Sequence, residues 1–213
     1  IPNLSEELQI ARDLALLEYT GGKLHIPTIS TSKAVQLIKE AKKKGLDVSC
    51  SVAAHHIFLT DEEIQSFDTN FKVKPPLRSE KDIKSLIKGL KDGTIDMLVS
   101  DHNPIDIENK NVEFENGLFG TIGMESLFGS ARQKLDIEEI ISCLTDKPKK
   151  LFDLPVTAIE TDTKANLTLF DPDKEYVFEK DTILSKSKNS AFIGKSLKGK
   201  IYGIFSNNKL VLN

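Results

Sequence analysis

The chain has 213 residues, of which 39% are hydrophobic and 29% are charged, and its formal net charge is −3. This composition is typical of a globular protein with a sizeable core. The small negative net charge gives no indication of the basic surface that binds nucleic acid. No apolar stretch approaches the roughly 20 residues of a membrane-spanning helix, and no signal peptide is visible. We therefore expect neither a nucleic-acid nor a membrane partner.

The first part of the chain alternates helical and extended patterns. The predicted helices start at an N-cap residue and end at glycine: Ser5 to Gly21, Thr31 or Ser32 to Gly45, and Ser79 to Gly93. The predicted strands are residues 23–26, 47–53 and the apolar run that begins at Met97. Between them, a capping box at Thr60 and Glu63 predicts a short helix, and residues 71–74 are predicted to be extended. Alternating strands and helices are typical of a parallel α/β fold.

The pattern changes after Pro104. Residues 105–117 are polar and acidic, which predicts a surface loop, and residues 119–123 return to the core. Helices are predicted near residues 125–132, 137–144 and 147–152. Beyond Pro155, short strands are predicted at 165–170, 176–178, 200–205 and 209–212, with turns at 171–173 and 207–208. We therefore predict an α/β part at residues 1–154 and a small β-module at residues 155–213.

Too few barrel-type strands are present for a closed barrel, since a (β/α)8 barrel needs eight strands and typically about 250 residues. The α/β part is therefore either an open sheet or the later part of a barrel. The chain also begins at Ile1 and enters a helix at once, so we expect a further part upstream. The two cysteines, Cys50 and Cys143, fall inside predicted elements, which favours buried thiols and a cytoplasmic location.

The segment 97–104, with the sequence Met-Leu-Val-Ser-Asp-His-Asn-Pro, is the strongest candidate for chemistry. Three apolar residues that lead to turn residues are typical of a buried parallel strand. Asp101 and His102 would follow its carboxyl end, where α/β barrels place their active sites. The alternative is a plain turn, because Asp before Asn-Pro often only ends a strand.

Six further segments occur in the same order as motifs of one enzyme family. They are Leu-His-Ile-Pro-Thr-Ile-Ser-Thr at 24–31, Ala-His-His-Ile-Phe-Leu-Thr at 54–60, Lys-Pro-Pro-Leu-Arg at 74–78, Asp-Gly-Thr-Ile-Asp at 92–96, Phe-Gly-Thr-Ile-Gly-Met-Glu at 119–125 and Ala-Asn-Leu-Thr-Leu-Phe-Asp-Pro at 165–172. Together with 100–104 and Phe-Ile-Gly at 192–194, this series resembles the dihydroorotases, which are cyclic amidohydrolases of pyrimidine biosynthesis. The resemblance implies the later part of a (β/α)8 TIM-type amidohydrolase barrel with a small C-terminal β-module.

The resemblance covers the family's C-terminal half, so the family's early strands, which carry a His-x-His metal pair, a bridging Lys or Asp and another His ligand, lie outside it. It implies Zn²⁺ as cofactor and Asp101 as the metal-bound catalytic carboxylate, which accepts a proton during attack on the amide. It also implies a small substrate similar to dihydroorotate, contacted by Lys74 and by the Phe119–Gly120 backbone. The plainer interpretation makes Phe119 a core residue and Gly120 a turn residue.

Three positions depart from the family pattern. Thr28 replaces an expected His ligand, and Thr is a poor ligand for Zn²⁺. Lys74 replaces an Asn, and Ile105 replaces a substrate-contacting His. We therefore expect that these 213 residues do not bind zinc or turn over substrate by themselves. Lys74 could pair with Asp101, hold an anionic group, or be solvated.

The other histidines are predicted to be structural. His25 lies within a strand, which favours a packed core side chain, and His102 should point away from Asp101. The His55–His56 pair is interpreted as structural, with possible hydrogen bonds near the cleft.

Two functions remain open from the sequence. One is a dihydroorotase-like enzyme that interconverts dihydroorotate and N-carbamoyl-aspartate. The other is a catalytically impaired relative with a structural or partner-binding role. In either case the resemblance implies a homo-oligomer, with aspartate carbamoyltransferase as a candidate partner.

Overall fold

The computed structural model describes residues 1–156 and 158–212. Its α-helices are α1 (Asn3–Thr20), α2 (Ser32–Lys43), α3 (Ala54–Phe58), α4 (Glu80–Lys91), α5 (Ile107–Lys110), α6 (Leu127–Arg132), α7 (Ile137–Ile141) and α8 (Lys147–Leu151). Its strands are β1 (Lys23–Ile26), β2 (Asp47–Ala53), β3 (Met97–Val99), β4 (Leu167–Val177), β5 (Ser196–Ser206) and β6 (Lys209–Leu212). Short 3-10 helices cover Asp61–Ser66, Thr69–Phe71 and Lys180–Thr182, and a π-helical turn covers Ser142–Asp146. No helix in this part of the chain is long and apolar enough to cross a membrane.

The first three strands form a parallel sheet in the order β1-β2-β3, as the alternation of strand and helix predicted. β1 pairs with Asp47–Cys50, the first half of β2, and β3 pairs with Ser51–Ala53, the second half. The sheet is therefore staggered along the strands. The carboxyl ends of all three strands meet at one edge, which is where parallel sheets position functional residues.

Helices α1, α2 and α4 bury their apolar faces beside this sheet, in a core cluster that includes Ile10, Leu14, Ile38, Val52 and Leu86. At the start of α2 the Thr31 hydroxyl accepts a hydrogen bond from the Ala34 N–H, as predicted.

Other predicted helix starts differ in detail. The structure begins α1 at Asn3, so Ser5 lies inside the helix. The Ser79 hydroxyl does not cap α4 but donates to Asp82, whose other carboxylate oxygen accepts from the Ser32 N–H. The segment after Thr60 is a 3-10 helix without a side-chain cap.

The last three strands form an antiparallel sheet in the order β4-β5-β6. Residues 171–173, predicted as a turn between two strands, lie inside the span of β4 but keep a local turn. Asp171 Oδ1 accepts from the Asp173 and Lys174 N–H groups, and pairing with β5 is interrupted between Asp171 and Glu175. The turn at Asn207–Asn208 is confirmed, and both residues adopt positive φ angles of 51° and 59°, as tight hairpins require.

The antiparallel sheet packs closely on α6. Phe128 contacts Phe170 edge-on, with ring centroids 4.9 Å apart, and a Cβ at Gly129 would lie 2.5 Å from the Tyr176 hydroxyl. A second core cluster joins Leu59, Val73 and Leu77 to Phe192 and Leu197. Residues on both sides of position 154 thus share one core, and a division into domains at that position remains a prediction.

Candidate active site at the carboxyl ends of the parallel strands

Three chemically important positions directly follow the three parallel strands. Thr28 follows β1, His55 follows β2 and Asp101 follows β3. Thr28 and Asp101 both have positive φ angles, 46° and 45°. This conformation is costly for a residue with a Cβ, most of all for a β-branched one, and such strain is typical of functional sites.

Asp101 and His55 face each other across this edge of the sheet. The distance from His55 Nε2 to Asp101 Oδ2 is 3.7 Å, which is longer than a hydrogen bond. The His55 side chain is completely buried, whereas that of Asp101 is 35% exposed. Burial raises the pKa of Asp101, while burial and the neighbouring His56 lower the pKa of His55 well below its usual value. His55 is therefore a neutral imidazole at neutral pH.

The two adjacent histidines have different surroundings. His56 Nε2 donates to the Pro75 carbonyl at 2.9 Å, which agrees with the structural role predicted for the pair. Neither ring nitrogen of His55 has a hydrogen-bond partner among the described residues. Because buried polar atoms nearly always have a partner, both nitrogens of His55 are available to a group outside this chain.

The remaining histidines bond within the fold. His102 Nδ1 accepts from the N–H groups of Gly123 and Met124, at 3.2 and 3.3 Å. His25 Nδ1 lies 2.8 Å from the Ser49 hydroxyl, and its ring contacts Phe152 edge-on. The contacts of His102 agree with the structural role predicted for it. His25 is only partly buried and lines the same cavity as Thr28, so its interpretation as a packed core side chain is wrong.

Thr28 and Lys74 line one cavity of about 430 Å³, between α1, β1 and the segment 74–78. Asp101 is not among the residues that line it. Lys74 is exposed and forms no ion pair within the described part of the chain, so the considered pairing with Asp101 is absent here. Of the three options from the sequence, solvation or an external anion remains.

A buried network holds the loop after β1. Glu6 on α1 accepts hydrogen bonds from the backbone N–H groups of Ser30 and Thr31. Arg78 is 6% exposed; its Nε donates to the Ser30 hydroxyl, and its Nη2 lies 3.5 Å from the Glu6 carboxylate. The network therefore links α1, the loop that contains Thr28, and the segment that contains Lys74.

The Phe119–Gly120 segment runs beside the loop that carries Asp101. Asn103 N–H donates to the Thr121 carbonyl at 2.9 Å, and His102 forms an isolated parallel bridge with Thr121. Gly120 has φ 143°, and a Cβ there would lie 2.7 Å from Asn103 Nδ2. Glycine is favoured at position 120 by its positive φ, and a Cβ there would have to displace the Asn103 side chain.

Phe119 is 40% exposed, so its interpretation as a core residue is wrong. The buried apolar side chain of this segment is that of Ile122. The Gly120 N–H is occupied by the Lys72 carbonyl at 2.9 Å. The Phe119 N–H donates to none of the described residues, so it is the member of the pair with a free donor.

Sequence reasoning missed the pairing of His55 with Asp101. A usable signal was present, because His55 follows β2 almost as directly as Asp101 follows β3. Sequence reasoning also missed Lys72 and Lys110. Their ammonium groups donate to the carbonyls of Phe114 and Glu115 and of Thr69 and Leu118, and no residue pattern reveals such partners.

A zinc ion fits the His55–Asp101 pair. Neutral imidazole and carboxylate are preferred zinc ligands, bonding at about 2.0–2.2 Å, and two unpartnered imidazole nitrogens are available. Within residues 1–156 and 158–212, however, no group of three or more His, Cys, Asp or Glu side chains could hold a metal ion.

Comparison with known proteins gives the family. The model of the amidohydrolase family matches residues 5–211. The chain belongs to the amidohydrolase family. This amidohydrolase chain is 40% identical to the dihydroorotase of Caldicellulosiruptor saccharolyticus, over 99% of its own length and 50% of the relative's. It is likewise 40% identical to the Bacillus subtilis dihydroorotase, over 93% of its own length and 48% of the relative's. The chain thus spans about half the length of the relatives that it matches.

Solved structures show the same fold. An L-hydantoinase from Arthrobacter aurescens matches all of this amidohydrolase chain, and 49% of its own chain, with a TM-score of 0.89 and 24% identity. The inactive dihydroorotase-like domain of a Chaetomium thermophilum CAD-like multifunctional protein matches 94% of the chain, and 54% of its own, with a TM-score of 0.70 and 19% identity.

Proposed function

We propose that the protein containing this chain is a dihydroorotase-like cyclic amidohydrolase of pyrimidine biosynthesis, which interconverts dihydroorotate and N-carbamoyl-aspartate. The identity to dihydroorotases along nearly the whole chain supports this reaction. The observation that carries the proposal is the buried, unpartnered His55 imidazole 3.7 Å from Asp101 at the carboxyl edge of the parallel strands.

The proposed architecture is the later part of a (β/α)8 barrel followed by a small β-module, divided near residues 154 and 155. The stagger of β1 and β3 along β2 supports a barrel, because strands in a closed barrel are sheared relative to one another. The remaining strands would come from outside these 213 residues.

Zn²⁺ is the proposed cofactor, with His55 and Asp101 as two of its ligands. Structural and catalytic zinc sites use three or four protein ligands, so the others would come from outside these 213 residues. When bound, such an ion polarises a carbonyl and acidifies water. Thr28 contributes no nitrogen ligand.

The chain's own residues have distinct proposed roles. Asp101 accepts the proton of the attacking water as general base. The free N–H of Phe119 can donate to a substrate oxygen. Lys74 is exposed at the cavity rim and can attract the carboxylate that dihydroorotate carries.

The alternative, a catalytically impaired protein, rests on the substitutions at Thr28, Lys74 and Ile105. The high identity to several dihydroorotases favours the enzyme over this alternative. We also propose a homo-oligomer in the cytoplasm, with aspartate carbamoyltransferase as the candidate partner. Two free, buried cysteines are consistent with a reducing compartment.

The test is turnover of dihydroorotate by the zinc-loaded protein that contains this chain. Asp101→Asn should lower kcat by roughly 100-fold or more, since a general base contributes about 10²–10⁴. Asp106→Asn is the matched control, because Asp106 is an exposed carboxylate five residues further along the same loop and should leave kcat unchanged. Absence of turnover by the zinc-loaded wild type would contradict the proposed function.

A further inference from the structure

The loop at residues 105–120 makes limited apolar contacts, among them an edge-on contact of the partly buried Phe114 ring with Phe67 at a centroid distance of 6.0 Å. Its large apolar side chains Ile107, Leu118 and Phe119 are 69%, 48% and 40% exposed. Polar contacts therefore contribute much of what holds the loop, and two lysines provide several of them. Lys110 Nζ donates to the Thr69 carbonyl at 2.7 Å and to the Leu118 carbonyl at 2.9 Å.

Lys72, which is not part of this loop, binds the loop at residues 114 and 115. Its Nζ donates to the Phe114 carbonyl at 2.8 Å and to the Glu115 carbonyl at 2.7 Å. The ammonium also lies 4.9 Å from the ring centroid of Phe119 and 5.5 Å from that of Phe114, within the range of cation–π attraction.

The main chain of Lys72 fixes the residue that follows Phe119. Its carbonyl accepts from the Gly120 N–H at 2.9 Å. One residue thus binds both ends of the segment 114–120: the side chain binds one end and the backbone binds the other. Between these points the Phe119 N–H stays free, beside the strand-end loop that carries Asp101.

We propose that Lys72 is a positioning residue for substrate binding: its ammonium holds the segment 114–120 so that the free Phe119 N–H faces the substrate. This inference rests on the proposed function for the substrate, but the contacts of the ammonium with the loop do not depend on it. Charge-assisted hydrogen bonds are stronger than neutral ones, so a cation at this position orders the loop better than a neutral donor would.

The test compares Lys72→Met, which keeps the length of the stem but removes charge and donors, with Lys72→Arg, which keeps both. Lys84→Met is the matched control, since the Lys84 side chain is 74% exposed on α4. Hydrogen–deuterium exchange of a peptide covering residues 113–120 reports on the loop, and KM and kcat for dihydroorotate report on the substrate.

In Lys72→Met, exchange of this peptide should be about tenfold faster and KM about tenfold higher, with kcat changed much less, because loss of a hydrogen bond to a charged group costs about a factor of ten or more. Lys72→Arg should recover most of both losses, and Lys84→Met should match the wild type. If Lys72→Met does not fold, Lys72→Gln takes its place, with smaller effects in the same direction.

Exchange that is equal in Lys72→Met and wild type would overturn the inference. Faster exchange with an unchanged KM would overturn the role in substrate binding. A third outcome combines faster exchange in Lys72→Met with no turnover by the zinc-loaded wild type. It would support the contact of Lys72 with the loop and overturn the proposed function.

Discussion

His55 Nε2 lies 3.7 Å from Asp101 Oδ2, and both nitrogens of this fully buried imidazole lack a partner among the described residues. A buried polar group without a partner costs about 1–3 kcal/mol, so an arrangement of this kind is retained where a ligand satisfies it.

Replacement of His55 by Asn should remove a zinc ligand. In the protein that contains this chain, zinc affinity should fall by more than the 10–100-fold typical of residues that only support a ligand. Competition with a chromophoric chelator measures this affinity. His25→Asn is the control, because His25 bonds to Ser49 instead of facing Asp101, and it should retain the affinity of the wild type.

Introducing an imidazole just after β1 should have the opposite effect on zinc binding. Thr28→His combined with Lys74→Asn should raise zinc uptake, because imidazole is a far better zinc ligand than a hydroxyl. Metal content after dialysis against a fixed concentration of free zinc measures the gain. No gain would mean that these two substitutions do not limit metal binding.

Gly120→Ala should destabilise the fold. The new Cβ would meet Asn103 Nδ2 at 2.7 Å, and φ 143° is strained for alanine. We expect a loss of about 1–3 kcal/mol in the free energy of unfolding, measured by urea denaturation. Gly45→Ala is the matched comparison, because Gly45 also has a positive φ, 84°, but has no atom within 4 Å of a built Cβ. A loss at Gly120 no larger than that at Gly45 would show that the contact with Asn103 is relieved without cost.

Lys110 should make the fold more stable as the pH rises above 8. Burial lowers its pKa from 10.5 to about 8. Between these values the unfolded chain binds a proton that the folded chain does not, so the free energy of unfolding increases with pH. The increase between pH 8 and pH 10 should be at most about 2 kcal/mol.

The variant Lys110→Met isolates this effect of pH. It loses the two hydrogen bonds to Thr69 and Leu118, so its stability is lower throughout. The relevant measurement is the slope of urea-derived stability against pH, which should be shallower in Lys110→Met than in the wild type. Equal slopes would show that Lys110 does not titrate in this range.

Much of the architecture could be predicted from local patterns. The strands at 23–26 and 47–53 and the cap at Thr31 agree with the sequence, because apolar periodicity and capping chemistry act over a few residues. The turn predicted at residues 171–173 is present as a local turn closed by Asp171, but it does not separate two strands, because pairing with β5 resumes at Glu175. Cross-strand pairing depends on residues about 25 positions away, which turn propensities do not include.

In the candidate site, too, some features follow from local patterns and others depend on distant residues. The sequence by itself determined that Asp101 follows a buried strand, and its motifs identified Thr28, Lys74, Phe119 and Gly120 as positions to examine. Only the tertiary structure decided that His55 faces Asp101, that Phe119 is exposed, and that Lys72 binds carbonyls on a distant loop. The physical reason is that local patterns determine where a strand ends and which residue follows it. The partner of a buried polar atom depends instead on which distant segments pack against it.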